Sequence, residues 1–138
     1  VEYALLALLE LAGHAQGSPL KISEIAAKQA IPDRYLEQIL NSLRRSGIIQ
    51  SLRGAKGGYV LAREPWQITL LEVVISVEGD LKPKESKGSE SSTLEKDVVY
   101  EIWQQVHEEA QKALNRYTLQ DLCQRRDAYR QINVMYYI

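Results

Sequence analysis

Arg34, Glu37 and Gln38 stand within about one helical turn of each other, and Arg53 and Lys56 follow on a stretch that also holds Gly54, Gly57 and Gly58. These side chains bind; they do not make or break bonds. Spaced along a helix, guanidinium prefers guanine O6/N7, carboxamide prefers adenine, and carboxylate accepts from cytosine N4. A guanidinium and an ammonium on glycine-rich backbone suit phosphates or a narrow groove, because glycine lets main chain approach a surface closely. Catalysis has little to work with. The chain holds no Ser/His/Asp or Cys/His arrangement, no phosphate-loop motif and no metal-ligand cysteine pair. Catalytic and metal-ligand residues are therefore expected to be absent.

The elements that must position these groups lie between Ile31 and Ala62. Leu36, Ile39, Leu40 and Leu43 recur at helical spacing, so one helix face is apolar. Asp33, Arg34, Glu37, Gln38 and Asn41 lie mostly off that stripe, and Tyr35 is read as a phosphate contact or a core support. Gly47 stands where a helix C-terminal glycine is expected, with Arg44 and Arg45 in the last turn, where cations suit the helix dipole. The period then changes. Ile48, Ile49 and Leu52 predict one short strand, and Tyr59, Val60 and Leu61 its partner, around the tip Arg53-Gly54-Ala55-Lys56-Gly57-Gly58. A helix shaped for a groove beside a basic hairpin is the layout of a winged helix-turn-helix. The predicted DNA-contacting set is Asp33, Arg34, Tyr35, Glu37, Gln38, Arg44 and Arg45 on the helix, with Arg53, Gly54, Lys56, Gly57, Gly58 and Tyr59 on the wing.

Charge is segregated along the chain. Arg34, Arg44, Arg45, Arg53, Lys56 and Arg63 face the single acid Glu37 between Arg34 and Arg63, whereas the whole 138-residue chain has net charge −1. Seven acids against Lys87 and Lys96 follow between Glu85 and Glu109. A generally basic protein is excluded; one end suited to a polyanion is not.

The remaining elements frame that unit. Ala4, Leu5, Leu8, Leu9, Leu11 and Ala12 predict an apolar first helix closing near Gly13, with His14 at its end. Ser23 is expected to cap a short helix through Gln29, whose small residues let another helix cross nearby, and Pro32 suits the next helix start. A loop over Arg63–Gln67 carries Trp66, read as a packing anchor. Thr69 and Glu72 have capping-box spacing for a helix that Gly79 ends. Ser92 and Glu95 repeat it ahead of the longest predicted helix, about Thr93 to Arg116. Along it Leu94, Val98, Ile102, Val106, Ala110 and Ala113 trace a stripe that Val99 and Trp103 widen. His107, among acids, is read as exposed. Thr118 and Asp121 cap a further short helix containing Cys123, read as a small buried hydrophobe. The alternation of Ile132, Val134, Tyr136 and Ile138 predicts a strand or extended arm.

The segment EYALLALLELA, followed by ISEIAAKQAIPDRYLEQILNSLRRSGIIQSLRGAKGGYVLAREPWQITLLEVVISVEG, resembles the bacterial iron–sulfur cluster regulators (the IscR-, NsrR- and CymR-like winged-helix transcription factors). Its most specific pieces are Tyr35-Leu36-Glu37-Gln38 and Arg53-Gly54-Ala55-Lys56-Gly57-Gly58-Tyr59. Beyond Gly79 the likeness narrows to a long helix and the closing Thr118-Leu119-Gln120-Asp121-Leu122. The resemblance implies a homodimer on a pseudo-palindromic operator in double-stranded DNA, and with the long helix it favours a dimer seam along the Leu94–Ala113 stripe. Cluster-bearing members carry three closely spaced cysteines in the segment corresponding to 80–92. Here that segment has none, so no iron–sulfur cofactor is expected.

The expected organisation is mainly α (α+β): a winged helix-turn-helix over 1–79 with a two-stranded wing, a flexible loop over 80–92, and a long dimerisation helix and tail over 93–138. The expected function is a sequence-specific, homodimeric transcriptional regulator and not an enzyme. The alternative is a winged-helix protein-interaction module without DNA readout, which accounts for the acidic half but not for the basic hairpin. A single cysteine excludes an internal disulfide, and no apolar run approaches the roughly 20 residues of a membrane span. With no signal peptide ahead of the first helix, the cytoplasm is the expected compartment and a membrane is not an expected partner.

Overall fold

A computed structural model describes residues 1–14, 18–79 and 93–136. These form α1 (Glu2–Gly13), α2 (Ile22–Gln29), α3 (Asp33–Arg45), β1 (Ile49–Leu52), β2 (Gly58–Leu61), a 3-10 turn at Pro65–Gln67, α4 (Leu70–Glu78), α5 (Leu94–Arg116) and α6 (Leu119–Tyr136). The mainly helical winged helix-turn-helix with a two-stranded wing is thus the observed architecture. The loop expected over 80–92 lies outside the described residues, as do Ser92 and Ile138.

One core collects the apolar stripes. Leu8 of α1, Ile25 of α2, and Leu36, Leu40 and Leu43 of α3 are fully buried, with Ile48 and Ile68. Ala4 and Ala7, also fully buried, carry little bulk on the α1 face turned to this core. Full burial of each leucine or isoleucine contributes about 1.5–3 kcal/mol before chain entropy is set against it.

The α2–α3 turn is set by Ala30, a non-glycine residue in the left-handed region (φ 52°, ψ 44°). The N–H of Ile31 donates back to the Ala26 carbonyl at 3.1 Å, and Ile31 itself is buried. The Pro32 carbonyl then accepts from the N–H groups of Tyr35 and Leu36, both at 3.1 Å, starting α3 at Asp33.

Several element ends depart from expectation. α2 begins at Ile22 with Lys21 in the cap position, not Ser23. Leu20 is paired with Tyr59 through two backbone hydrogen bonds, which fixes where the chain leaves extended geometry. The Lys21 N–H donates to Glu24 at 3.2 Å. α4 has the expected reciprocal cap: Thr69 and Glu72 exchange hydrogen bonds, each 3.2 Å, and Gly79 (φ 85°) closes the helix. α5 is capped by Thr93, whose Oγ1 accepts from the Lys96 N–H at 3.1 Å, one residue beyond the expected Ser92. Trp66 is 60% exposed rather than a packing anchor; Ile68, two residues on, takes the buried place beneath the 3-10 turn.

α6 is the largest departure. The expected short helix and alternating tail are one helix through Tyr136. Thr118 and Asp121 nucleate it reciprocally, the Thr118 N–H donating to Asp121 at 2.8 Å and the Asp121 N–H to Thr118 Oγ1 at 3.4 Å. Once a helix is nucleated, each added residue gains a hydrogen bond, whereas a lone strand has no ladder to join. The root of α6 joins the winged-helix core: Leu119 is fully buried, its N–H donates to Ile68 at 2.9 Å, and Arg126 Nη1 donates to the Leu9 carbonyl at 3.1 Å.

Candidate nucleic-acid interface

Burying Leu36, Ile39, Leu40 and Leu43 turns the other faces of α3 outward. Asp33, Arg34, Tyr35, Glu37, Gln38, Arg44 and Arg45 are all exposed, and Asn41 is half-buried. Arg34, Gln38 and Arg45 share one outer face by their spacing. The Tyr35 ring stacks on Tyr3 of α1, centroids 6.5 Å apart, so it supports the front of α3 from outside the core. Nothing in the sequence marks Tyr3 for that contact. The rear of α3 is latched to α4: Ser46 Oγ donates to Ser76 Oγ at 2.8 Å, and Ser76 Oγ donates to the Ser42 carbonyl at 3.0 Å.

The wing is a hairpin in the register Ile49↔Leu61, Gln50↔Val60, Ser51↔Tyr59 and Leu52↔Gly58. The Leu20–Tyr59 pairing (N–H···O 3.0 and 2.8 Å) adds an antiparallel bridge on the other side of β2, so wing and α2 are braced together. Two glycines make this possible. A β-carbon at Gly57 would meet the Leu52 carbonyl oxygen, and one at Gly58 would lie 2.5 Å from the Leu20 carbonyl oxygen. Arg53, Gly54 and Lys56 on the tip are exposed, while Gly57, Gly58 and Tyr59 are half-buried at its root. The predicted wing residues therefore divide: Arg53 and Lys56 present charge, and Gly57, Gly58 and Tyr59 hold the hairpin in place.

Arg63, counted with the basic stretch in the sequence, is committed elsewhere. Its Nη1 lies 3.2 Å from both Glu72 carboxylate oxygens. That leaves Arg34, Arg44, Arg45, Arg53 and Lys56 as cations of the helix and wing with no ion pair among the described residues.

At the other end of the molecule, α5 buries no residue. Leu94, Val98, Ile102 and Val106 are between 48% and 80% exposed, Ala110 is exposed, Ala113 half-buried, and Val99 and Trp103 extend the same apolar surface. Cys123, half-buried on α6, packs against the core; burial pushes its thiol up, opposed by the nearby Arg126. No group of three or more His, Cys, Asp or Glu side chains among the described residues could hold a metal ion.

Recognition helix, braced wing and outward cations define a protein of the winged helix-turn-helix class. The profile of the Rrf2 family, described as an iron-dependent transcriptional regulator, matches residues 1–125. The chain belongs to the Rrf2 family. It is 41% identical over 120 residues to slr0846 of Synechocystis sp. (strain ATCC 27184 / PCC 6803 / Kazusa), classed with the HTH-type transcriptional regulators, covering 87% of this chain and 82% of that one. Among solved structures it is similar to CymR, the global cysteine regulator of B. subtilis (32% identity, 89% and 92% of the two chains, TM-score 0.72). It is also similar to T. potens IscR (33% identity, 92% and 83%, TM-score 0.69). These relatives are regulators, not enzymes. None of the described helices is long and apolar enough to cross a membrane.

The donor set does not fit a cysteine-ligated iron–sulfur cluster. Thiolates are the usual ligands. The whole chain holds one, Cys123, which packs into the core, and the 80–92 segment contains neither Cys nor His.

Proposed function

We propose that this protein is a homodimeric regulator that reads a pseudo-palindromic operator in double-stranded DNA without an iron–sulfur cofactor. The observation that carries the reading is the set of five outward cations on α3 and the wing, without an ion pair among the described residues while Arg63 is paired with Glu72. α3 enters the major groove, where Arg34, Glu37 and Gln38 meet base edges. Arg53 and Lys56 clamp phosphate or the minor groove from the wing, and Arg44 and Arg45 track the backbone. The exposed apolar face of α5 is the seam that places two such units on two half-sites.

Clamp and reader should fail differently. Lys56→Ala is expected to weaken binding to operator and scrambled duplex alike, lowering the slope of log K against log salt by roughly one unit. Gln38→Ala is expected to relax preference at particular base pairs, at about 1–3 kcal/mol per lost contact. Genome-wide binding-site mapping supplies the operator, and titrations at several salt concentrations make the comparison. If Gln38→Ala leaves the operator-to-scrambled ratio intact while Lys56→Ala collapses it, the roles are reversed. If neither matters, this face does not bind DNA and the protein is an interaction module.

Protein purified without oxygen is expected to be colourless, with no stoichiometric iron or sulfide. One cluster per subunit by iron and sulfide analysis overturns the cofactor reading.

A further inference from the structure

The wing has a neighbour that the order of the chain conceals. Lys21 precedes α2, far from Arg53 in sequence, yet the Leu20–Tyr59 bridge carries it to the hairpin. Leu20 and Tyr59 exchange backbone hydrogen bonds at 3.0 and 2.8 Å. Antiparallel pairing then sets the next residue, Lys21, beside Gly58, and a β-carbon at Gly58 would lie 3.1 Å from the Lys21 nitrogen. Gly58 faces Leu52 on its other side, and Leu52 is followed at once by Arg53. Lys21 therefore stands in the third row of a small sheet whose first two rows lead into the basic tip. From there α2, eight residues long or about 12 Å, runs to the turn ahead of α3. Each end of α2 thus abuts an element of the candidate interface: the wing at its start, the recognition helix at its end.

We propose that Lys21 is a further phosphate contact, a third cation of the clamp alongside Arg53 and Lys56. The inference rests on the DNA reading above and adds a residue to it. Partnering separates Lys21 from Lys28, the lysine at the other end of α2. Lys28 Nζ lies 3.8 Å from Glu10 of α1, so its charge is answered within the chain. Lys21 is exposed and has no ion pair among the described residues. Glu24, the acid nearest to it along the chain, turns back onto the backbone, its Oε1 accepting from the Lys21 N–H at 3.2 Å. An ammonium on a flexible four-carbon stem is a point charge that suits a phosphate oxygen, not the two-point pattern of a base edge. Lys21 should therefore supply affinity common to all sequences, with no preference among them.

The test titrates the full chain against operator and scrambled duplex from roughly 50 to 200 mM salt. Lys21→Gln keeps most of the stem and removes the charge. It should weaken both duplexes alike and reduce the slope of log K against log salt by roughly one unit. Across that range the wild type should then lose about 3.5-fold more affinity than the variant. Combined with Lys56→Ala the reduction should reach roughly two units, and Lys21→Arg should restore the wild-type slope. Lys28→Gln on α2 and Lys112→Gln on α5 remove the same charge from lysines that face Glu10 and Glu109, and should leave the slope unchanged. The urea midpoint of Lys21→Gln should match wild type, since the side chain is exposed; Lys21→Ser takes its place if the glutamine variant misfolds. If Lys56→Ala reduces the slope and Lys21→Gln does not, Lys21 meets no phosphate, and the inference fails while the DNA reading stands. If Lys28→Gln or Lys112→Gln reduces it equally, the effect belongs to net charge and the inference fails in the same way. If Lys56→Ala leaves the slope alone, or no duplex is bound, the clamp itself fails and the inference goes with it.

Discussion

Aspartate at Ile102 or Val106 should leave the protein folded, monomeric and poorly able to hold an operator. Both residues lie about half exposed on a helix none of whose residues is fully buried among the described residues. In the monomer either charge therefore sits in water at little cost. In a dimer it must be buried in an apolar seam with no partner, at a cost of several kcal/mol per subunit. The consequence for DNA is larger than the local change suggests. Two recognition units linked in one dimer gain roughly 10²–10⁴ in affinity over one unit alone, and monomerisation removes that gain. Operator binding should fall by about 100-fold or more while the weak, salt-sensitive binding to random duplex persists. Sedimentation and a binding titration on the same sample check the pair of effects. Variants that remain dimeric at low concentration would place the seam elsewhere. Monomers that still bind operator tightly would remove the need for a dimer.

Local signals were legible in the sequence, and their limits are physical. The stripe Leu36-Ile39-Leu40-Leu43 is buried as its spacing predicts, because that spacing records which side of the helix meets the core. The wing strands and the Thr69–Glu72 cap also lie where short-range chemistry places them. What the sequence conceals is contact between distant segments. Leu20 pairs with Tyr59 and thereby moves the start of α2, yet neither residue carries a pairing signal of its own. Arg63 reads as one more cation of the basic stretch until the chain turns and sets it against Glu72. The tail shows the opposite difficulty, two periods written over one another. Ile132 and Val134 alternate as in a strand, while Ala128, Ile132 and Met135 also satisfy helical spacing. The nucleus at Thr118 and Asp121 decides for the helix. Within the candidate site, the identity of the outward side chains was readable, but the division of the wing glycines from its cations was not. That division depends on what a β-carbon would strike.

Gly58→Ala should be among the most damaging single-methyl changes available in this chain. Gly58 has φ 155°, a conformation that residues with a side chain rarely adopt, and a β-carbon there would lie 2.5 Å from the Leu20 carbonyl oxygen and 2.7 Å from its carbon. The obstacle is backbone, so no rotamer change relieves it. Either β2 retreats from Leu20, losing the two hydrogen bonds that brace the wing to the start of α2, or the link ahead of α2 shifts. Strain and overpacking together should cost roughly 2–4 kcal/mol. Gly54 supplies the control. Its φ is 109°, but nothing lies within 4 Å of the β-carbon position, so Gly54→Ala should show backbone strain alone, about 1–2 kcal/mol. Urea unfolding of both variants separates the two terms, and DNA titration adds the functional consequence. A wing released from Leu20 should lose the Arg53 and Lys56 contacts and with them affinity for every duplex, while α3, held by the core and by Ser76, keeps its preference among the sequences that still bind. A Gly58→Ala protein whose urea midpoint and wing-dependent affinity match those of Gly54→Ala would mean that the Leu20–Tyr59 bridge braces nothing.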